Sequence, residues 1–242
     1  MFNFIQVEFL KLKNSKIFLL TVLCSLFPAF LLYLGYLEDP TLVSTFEEIL
    51  YVNTQYVVGL LAVLLFSIVV SYLIGREYNE HTLKLIMTAP TSKFKYLLGK
   101  YLMFLIWAMI LIFVAFLSSI AIGLIMGVSG FTFDIIVNGL WDLMYGGFLL
   151  FLTMSPFVFL AMIINNMVPA MIGGAVLVIA NLMISSSSYA AYFPWFAPYM
   201  IISGDWAVIT VPSYVSYTVI LVTFIIGILI SYLYFVKKDV SL

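Results

Sequence analysis

Charged residues and cysteine are both scarce in this chain. Asp, Glu, Lys and Arg together make up 9% of its 242 residues, whereas a soluble globular domain carries about a quarter. The single cysteine, Cys24, excludes an internal disulfide and a paired-cysteine metal site. The nucleotide-binding pattern G-x-x-x-x-G-K-[ST] is also missing. We therefore expect no catalytic residue, cofactor or metal ion on this chain, and any ATP that it depends on to be hydrolysed by another chain.

The few charges leave long apolar stretches between them, because 65% of the residues are hydrophobic. A helix rises about 1.5 Å per residue, so roughly 20 apolar residues cross the hydrocarbon core of a bilayer. Backbone groups must be paired in lipid, which favours helices. The sequence therefore predicts an all-α, polytopic membrane protein with one membrane domain over residues 1–242. Its six predicted transmembrane helices are 17–37, 56–74, 101–125, 143–164, 170–188 and 214–236.

All ten basic residues fall on one side of this predicted arrangement. Basic flanking segments stay in the cytoplasm, so we predict that both termini are cytoplasmic. A miscount of one helix would scatter the basic residues over both sides, and the bias therefore also supports six. The charged residues on the outer side are all acidic, namely Glu38, Asp39, Glu47, Glu48, Asp134, Asp142 and Asp205.

Two further segments are predicted at the membrane surface. Residues 1–16 carry an apolar stripe at helical spacing, which includes Phe9 and Leu12, and are predicted to form an interfacial helix. This helix either anchors the chain among the headgroups or contacts a cytoplasmic partner, and the two roles are compatible. Residues 189–213 are rich in tyrosine, phenylalanine and tryptophan and are broken by prolines. Such aromatic residues are typical of the membrane–water interface.

The segment 75–100 is the one sizeable loop predicted on the cytoplasmic side. Leu83 and Ile86 belong to an apolar face at helical spacing, and Pro90 ends the predicted helix. The Thr-Ser pair at 91–92 can cap the next helix. A solvated loop does not need an apolar face toward the cytosol, so the pattern favours docking of a protein partner.

This loop resembles the coupling loop of type-2 ABC permeases, which reads roughly E-x-x-x-G-T-L-x-x-L-L-x-x-P-x-S-R between the second and third spans. The matching residues are Glu77, Thr82, Leu83, Ile86, Met87, Pro90, Ser92 and Lys93. His81 stands where the family usually has glycine. The first residues of the chain also resemble the start of those permeases. The members most similar in appearance are permeases of lantibiotic or bacteriocin immunity, bacitracin resistance and phenol-soluble-modulin export.

The resemblance implies an ABC exporter of amphipathic or membrane-active peptides. It implies two copies of a separate ATPase, which would carry ATP and Mg²⁺, and a second permease that is identical or homologous. It further implies that a coupling helix in the loop docks on the ATPase, and that residues 189–213 form a short re-entrant hairpin. The residues assigned to ATPase coupling are Glu77, Glu80, Thr82, Leu83, Ile86, Met87 and Pro90.

Small residues recur every four positions on three of the predicted spans. Such stripes pack helices closely, either within one subunit or at a seam between two. The residues concerned are Ser67, Ser71, Gly75, Gly123, Gly127, Ala170 and Gly174. Asn181 and Ser185 make the fifth span polar toward its outer end. They either line a translocation path or form helix–helix hydrogen bonds, and the second interpretation is favoured.

Two other functional classes were weighed. Ser129 lies in a G-x-S-G sequence like that of rhomboid proteases. The single histidine, His81, is predicted on the opposite side of a bilayer about 30 Å thick, so no nucleophile–base pair can form. The remaining alternative is an ion-driven carrier or a channel for a hydrophobic solute that works without an ATPase. It is disfavoured because the predicted spans lack the ionisable residues that usually relay protons or sodium ions.

Overall fold

The computed structural model describes Phe9, Leu12, and residues 15–79, 92–164, 167–204 and 211–237, without the side chains of residues 78 and 79. Over these residues the fold is helical, as predicted. The elements in chain order are α1 Lys16–Ser25, α2 Phe27–Glu38, α3 Phe46–Tyr56, a π-helical turn Val57–Leu61, α4 Ala62–Asn79, α5 Lys93–Met126, α6 Phe133–Thr153, α7 Ser155–Ile164, α8 Met167–Ile184, a 3₁₀ turn Ala190–Tyr192, α9 Ala197–Ser203 and α10 Tyr214–Lys237.

Six helical stretches in the described part of the chain are long and apolar enough to cross a membrane, which confirms the predicted number. Two are much longer than predicted, with 32 residues in Phe46–Glu77 and 34 residues in Lys93–Met126. At about 1.5 Å per residue these helices reach roughly 50 Å, against about 30 Å of hydrocarbon. They therefore extend beyond the lipid and can place side chains in water.

The fourth span differs most from its prediction of 143–164. The structure begins α6 ten residues earlier, at Phe133, and ends it at Thr153. A separate helix, α7, then covers Ser155–Ile164. The break has a direct cause in Pro156, which lacks the N–H that a continuous helix would use and whose ring clashes with the preceding turn. The fifth span, α8, is also shorter than predicted and ends at Ile184.

The helix ends follow from local sequence. Thr45 and Glu48 form a reciprocal capping box at the start of α3. The hydroxyl of Ser92 accepts from the Lys95 N–H at 3.3 Å, so the predicted cap before the third span is confirmed at Ser92. Gly127 ends α5 with a φ of 67°, a left-handed conformation that glycine adopts without a steric cost. Of the predicted interfacial helix 1–16, the structure describes only Phe9, Leu12, Ser15 and Lys16, and Leu12 packs into the main core.

The continuous helix Phe46–Glu77 lies at the centre of the bundle, and 78% of its most apolar 18-residue stretch is buried. Aromatic residues fill the space around it. Phe66 meets Phe104 edge to face at 5.7 Å, and the fully buried Trp107 donates its indole N–H to Thr21 at 3.2 Å. By contrast, only 17% of the 18 residues of α8 are buried. Such an apolar outer surface is expected where lipid is the solvent.

Small residues bring α4 and α8 together. A Cβ added to Gly174 would lie 2.5 Å from the Cβ of Ser67, and one added to Gly75 would lie 2.8 Å from Cγ of Met167. Ala170 is 1% exposed between them. The hydroxyl of Ser71 donates to the Ser67 carbonyl at 2.6 Å and so stays on its own helix. The residues of this stripe therefore pack within one subunit.

The glycine pair on the third span has two separate roles. A Cβ on Gly123 would lie 3.0 Å from Cδ2 of Phe46, so the glycine makes room for that ring. Gly127 has no atom within 4 Å of such a Cβ and serves the helix end instead. The Phe46 N–H also donates to the Ser129 carbonyl at 2.9 Å, which joins the two outer loops.

We predict that Gly174→Ala lowers the free energy of unfolding by about 1–3 kcal/mol, because the methyl group overpacks the contact with Ser67. The matched control is Gly173→Ala on the same helix, where the added Cβ would only touch Phe157 at 3.4 Å. Both substitutions raise helix propensity alike, so the difference between them isolates the contact. Thermal unfolding of the detergent-solubilised chain measures it. Equal stability of the two variants would contradict the close packing of α4 on α8.

Candidate functional site

The ends of α4 and α5 on the predicted cytoplasmic side are joined by a buried ion pair. Lys100 donates from Nζ to Oε1 of Glu77 at 2.6 Å, and both side chains are only 3% exposed. The Tyr96 hydroxyl donates to the other carboxylate oxygen, Oε2. The ammonium of Lys100 also lies 5.6 Å from the centre of the Tyr96 ring. Both carboxylate oxygens of Glu77 are thus hydrogen-bonded away from water.

The last turns of α10 pack against the part of α5 that lies next to this ion pair. The ring of Phe235 stacks on Tyr96 with centroids 5.1 Å apart and an angle of 20°. Lys93 donates from Nζ to the Val236 carbonyl at 3.0 Å. The two ends of the predicted coupling loop therefore contact each other, and the α5 end also contacts α10. We call Glu77, Tyr96, Lys100 and Phe235 the root cluster.

Of the residues assigned to ATPase coupling, the structure describes only Glu77. Glu77 lies near the end of α4, which continues to Asn79, and its carboxylate is buried. Within the described residues its carboxylate therefore joins α4 to α5 and is not exposed on the surface. The remaining assigned residues lie outside the described part of the chain and stay predictions, namely Glu80, Thr82, Leu83, Ile86, Met87 and Pro90.

A cavity of about 550 Å³ opens between α3, α6 and α9, at the predicted outer side. We call it the outer vestibule. Glu47, Glu48 and Asp142 line it together with Tyr51 and Tyr199, and none of the described residues that line it is basic. Glu48 accepts from the Ser44 and Thr45 N–H groups at the start of α3. Among the described residues neither Glu47 nor Asp142 has an ion-pair partner, so the vestibule is negative.

Asp39 lies in the outer loop that precedes α3. Its carboxylate accepts from the hydroxyl and the backbone N–H of Thr41 at 2.6 and 2.9 Å. These hydrogen bonds hold the pKa of Asp39 below its usual range. The negative charge of Asp39 therefore persists at neutral pH.

A second cavity of about 530 Å³ lies between the π-helical turn, α8 and α9. We call it the membrane cleft. Tyr56, Leu60, Leu182 and Met200 give it apolar and aromatic walls, and Asn181 and Ser185 add polar atoms. The ring of Tyr199 lines both the cleft and the outer vestibule. A Cβ on Gly59 would lie 4.0 Å from Cγ of that ring, so the backbone of the π-helical turn stands directly beside it.

Asn181 joins the cleft walls. Its Nδ2 donates to the Gly59 carbonyl at 2.7 Å and to the Trp195 carbonyl at 3.3 Å, and the residue is fully buried. Since both partners are acceptors, the orientation of the amide is fixed. A π-helical turn shifts the backbone hydrogen-bond register, and Asn181 bonds to a carbonyl inside that turn. Ser185 lies one residue past the end of α8, and its hydroxyl donates to the Leu182 carbonyl in the last turn of that helix at 2.8 Å.

Sequence reasoning missed three features of these sites. It used Lys100 only to assign the cytoplasmic side, although opposite charges at the ends of two consecutive spans allow an ion pair across their hairpin. It gave no sign of the π-helical turn, because Val57–Leu61 reads as ordinary apolar helix. It also treated Tyr199 as one of several interface aromatics. Of the predicted re-entrant hairpin, the structure describes the short helix α9, whose Ala197, Pro198 and Met200 are buried.

Comparison with known proteins gives a consistent result. The family model "ABC-2 family transporter protein" matches residues 4–181. The bacitracin transport permease protein BCRB of Bacillus licheniformis is 32% identical over 201 residues, which cover 83% of this chain and 96% of that protein. The uncharacterized protein YhcI of Bacillus subtilis strain 168 is 36% identical over 62 residues, 25% of this chain and 20% of that protein. These matches confirm the resemblance found in the cytoplasmic loop.

We predict that Asn181→Ala lowers the free energy of unfolding by about 0.6–2 kcal/mol, the range of hydrogen bonds between membrane helices. The variant loses both bonds that join α8 to Gly59 and Trp195. Ser185→Ala is the matched control, because its hydroxyl bonds only to Leu182, three residues back in the last turn of α8, and we expect a change within about 0.5 kcal/mol. Thermal unfolding in detergent compares the two. A cost for Ser185→Ala equal to that for Asn181→Ala would refute the bridging role.

Proposed function

The chain belongs to the ABC-2 family of transporter proteins, and we propose that it exports amphipathic or membrane-active peptides with energy from a separate ATPase. It is an ABC transporter permease subunit and a multi-pass protein of the bacterial cell membrane. The observation that carries the peptide proposal is its 32% identity to a bacitracin transport permease over 96% of that relative. Export of such a peptide for secretion and its expulsion for immunity would require the same kind of binding path.

The two cavities support a substrate with an apolar and a cationic part. The membrane cleft presents apolar and aromatic side chains, and the outer vestibule presents the carboxylates of Glu47 and Asp142. A charge moved into the middle of the membrane costs at least about 2.5–3.5 kcal/mol, whereas an apolar surface has no such penalty. An amphipathic cation can leave its apolar part in the cleft while its charge reaches the vestibule. Asn181 and Ser185 would then form part of the path.

The partners are proposed on the same grounds. Two copies of an ATPase, each with ATP and Mg²⁺, would drive two permeases, identical or homologous. Cavities of about 300–1,000 Å³ hold ligands of drug size, and the two here, at about 550 and 530 Å³, accommodate only part of a peptide. A second permease would complete the path. The alternative of an ion-driven carrier lacks support, because the buried charges of Glu77 and Lys100 are paired with each other near one end of the bundle.

We predict that Leu83→Asp combined with Ile86→Asp releases the ATPase while the permease still inserts in the membrane. Burial of two such side chains is worth about 3–6 kcal/mol, so binding should weaken about 100-fold or more. A detergent pull-down from native membranes measures the association. The control is Thr88→Asp, which helical spacing places on the opposite face of the predicted coupling helix. Retained ATPase in the double variant would remove this segment as the dock.

We predict that deletion of this chain lowers tolerance to cationic amphipathic peptides, or abolishes secretion of one, and leaves tolerance to small hydrophilic antibiotics unchanged. Restoring the wild-type chain should restore the phenotype. Asp142→Asn should restore it only in part, because it removes a carboxylate from the vestibule. Asp134→Asn is the matched control, since Asp134 lies two turns earlier on α6 and does not line that cavity. Growth inhibition by a series of peptides of rising positive charge provides the measurement.

Two results would count against this proposal. Unchanged peptide tolerance and secretion, together with a defect in export of a hydrophilic solute, would overturn the substrate class. Equal complementation by Asp142→Asn and Asp134→Asn at every peptide charge would remove the vestibule from the substrate path.

A further inference from the structure

The root cluster is built from interactions that are costly to bury. Glu77 and Lys100 are 23 residues apart in sequence, and their charged atoms meet at 2.6 Å with 3% exposure on each side. Removal of two charges from water is expensive, and an apolar pair of similar size is often equally stable or more so. Stability alone therefore does not explain the pair. What an ion pair adds is a specific geometry, because one charge left buried without its partner is strongly unfavourable.

The geometry is extended to a third helix. Tyr96 donates to Glu77 with its hydroxyl and stacks its ring on Phe235. One turn earlier on α5, Lys93 reaches the Val236 carbonyl and lies 5.9 Å from the centre of the Phe235 ring. Phe94 meets Tyr232 edge to face at 6.0 Å. The ends of α4, α5 and α10 are thus connected through consecutive contacts around one carboxylate.

We infer that Glu77 is a positioning residue, which holds both ends of the cytoplasmic loop on the last turns of α10 so that the three helix ends move as one body. A displacement of the loop is then passed at once to the second, third and sixth spans and not lost in the bending of one helix. This inference rests on the proposed function in one respect, namely that an ATPase acts on the loop. The positioning itself concerns only this chain.

The first experiment measures the position without any partner activity. The sole cysteine is removed by Cys24→Ser, and Phe94→Cys and Tyr232→Cys are introduced together. Both native side chains are exposed, at 56% and 37%, so reagents reach these positions. A short bis-maleimide is added to inverted membrane vesicles that hold the full complex, and the rate of intramolecular cross-linking is followed on gels.

Glu77→Gln should slow this cross-linking about tenfold, because the buried Lys100 loses the charge of Glu77 and the ends separate. Lys100→Arg keeps the charge and should preserve the rate. Lys95→Gln removes an exposed lysine from the same helix and serves as the matched control. An unchanged rate in Glu77→Gln would overturn the inference, and so would an equal loss in Lys95→Gln.

The second experiment separates positioning from simple stability. The double variant Glu77→Met with Lys100→Met replaces the ion pair by an apolar pair and should unfold at the wild-type temperature or above it. It should still bind the ATPase in a pull-down, yet lose at least about tenfold in ATP-dependent peptide transport because the fixed geometry is gone. Transport at the wild-type rate in this stable variant would show that the pair is only structural, and the inference would fail.

The two proposals fail in different ways. If the wild-type chain binds no ATPase and moves no peptide, the proposed function is wrong. Slower cross-linking in Glu77→Gln from the same membranes would still support the positioning role. If the wild-type complex transports peptide and Glu77→Gln transports and cross-links equally well, the positioning role is wrong and the proposed function stands.

Discussion

Lipid offers no hydrogen-bond partner to a peptide backbone, and this constraint governs the central helix on which the other parts are arranged. The helix Phe46–Glu77 is long enough to pass through the hydrocarbon and emerge on both sides. Where its register changes, at Val57–Leu61, the buried amide of Asn181 bonds to the Gly59 carbonyl. Its outer end lines the vestibule, its π-helical turn lines the cleft, and its inner end carries Glu77. One continuous element thus connects all three candidate sites.

Close packing keeps this helix in place. Gly174 lies against the side chain of Ser67, and Gly75 lies against Met167, so the backbones of α4 and α8 approach closely. In a membrane, where lipid is as apolar as leucine, helices associate through such close contacts and a few hydrogen bonds. The root cluster adds an ionic connection at the cytoplasmic end. Close packing and the ion pair therefore act together, from the middle of the bundle to its predicted cytoplasmic end.

Sequence reasoning predicted the architecture because hydrophobicity and charge are separated so sharply along the chain. The count of six spans follows from apolar length together with the one-sided placement of lysine and arginine. Helix ends were less predictable, since α3 and the first part of α6 are amphipathic and extend past the lipid. The break before Pro156 could have been predicted from the sequence, because proline lacks the backbone N–H that a continuous helix needs. The pairing of Glu77 with Lys100 depends on which faces two helices turn toward each other, and helical spacing alone does not fix that. The π-helical turn depends on tertiary contacts with Asn181 and Tyr199.

Function was predictable at the level of the family, because the segment 75–100 contains a recognisable loop pattern. The rest of the chain is apolar and says little about function. The structure adds two cavities that share Tyr199, and it shows that the side chain of Glu77, a residue assigned to ATPase coupling, is buried in an ion pair with Lys100. Under the proposed function, the two cavities would form a route for an amphipathic cation, and the root cluster would be the point where force from the cytoplasm enters the bundle.

The most direct test of the account is the mass and content of the complex purified from native membranes through a tag on this chain. The account predicts two permeases together with two ATPase subunits that carry the nucleotide loop missing here, and peptide transport in reconstituted vesicles that stops without ATP. A chain that purifies without any ATPase and still moves peptide across the bilayer would contradict it.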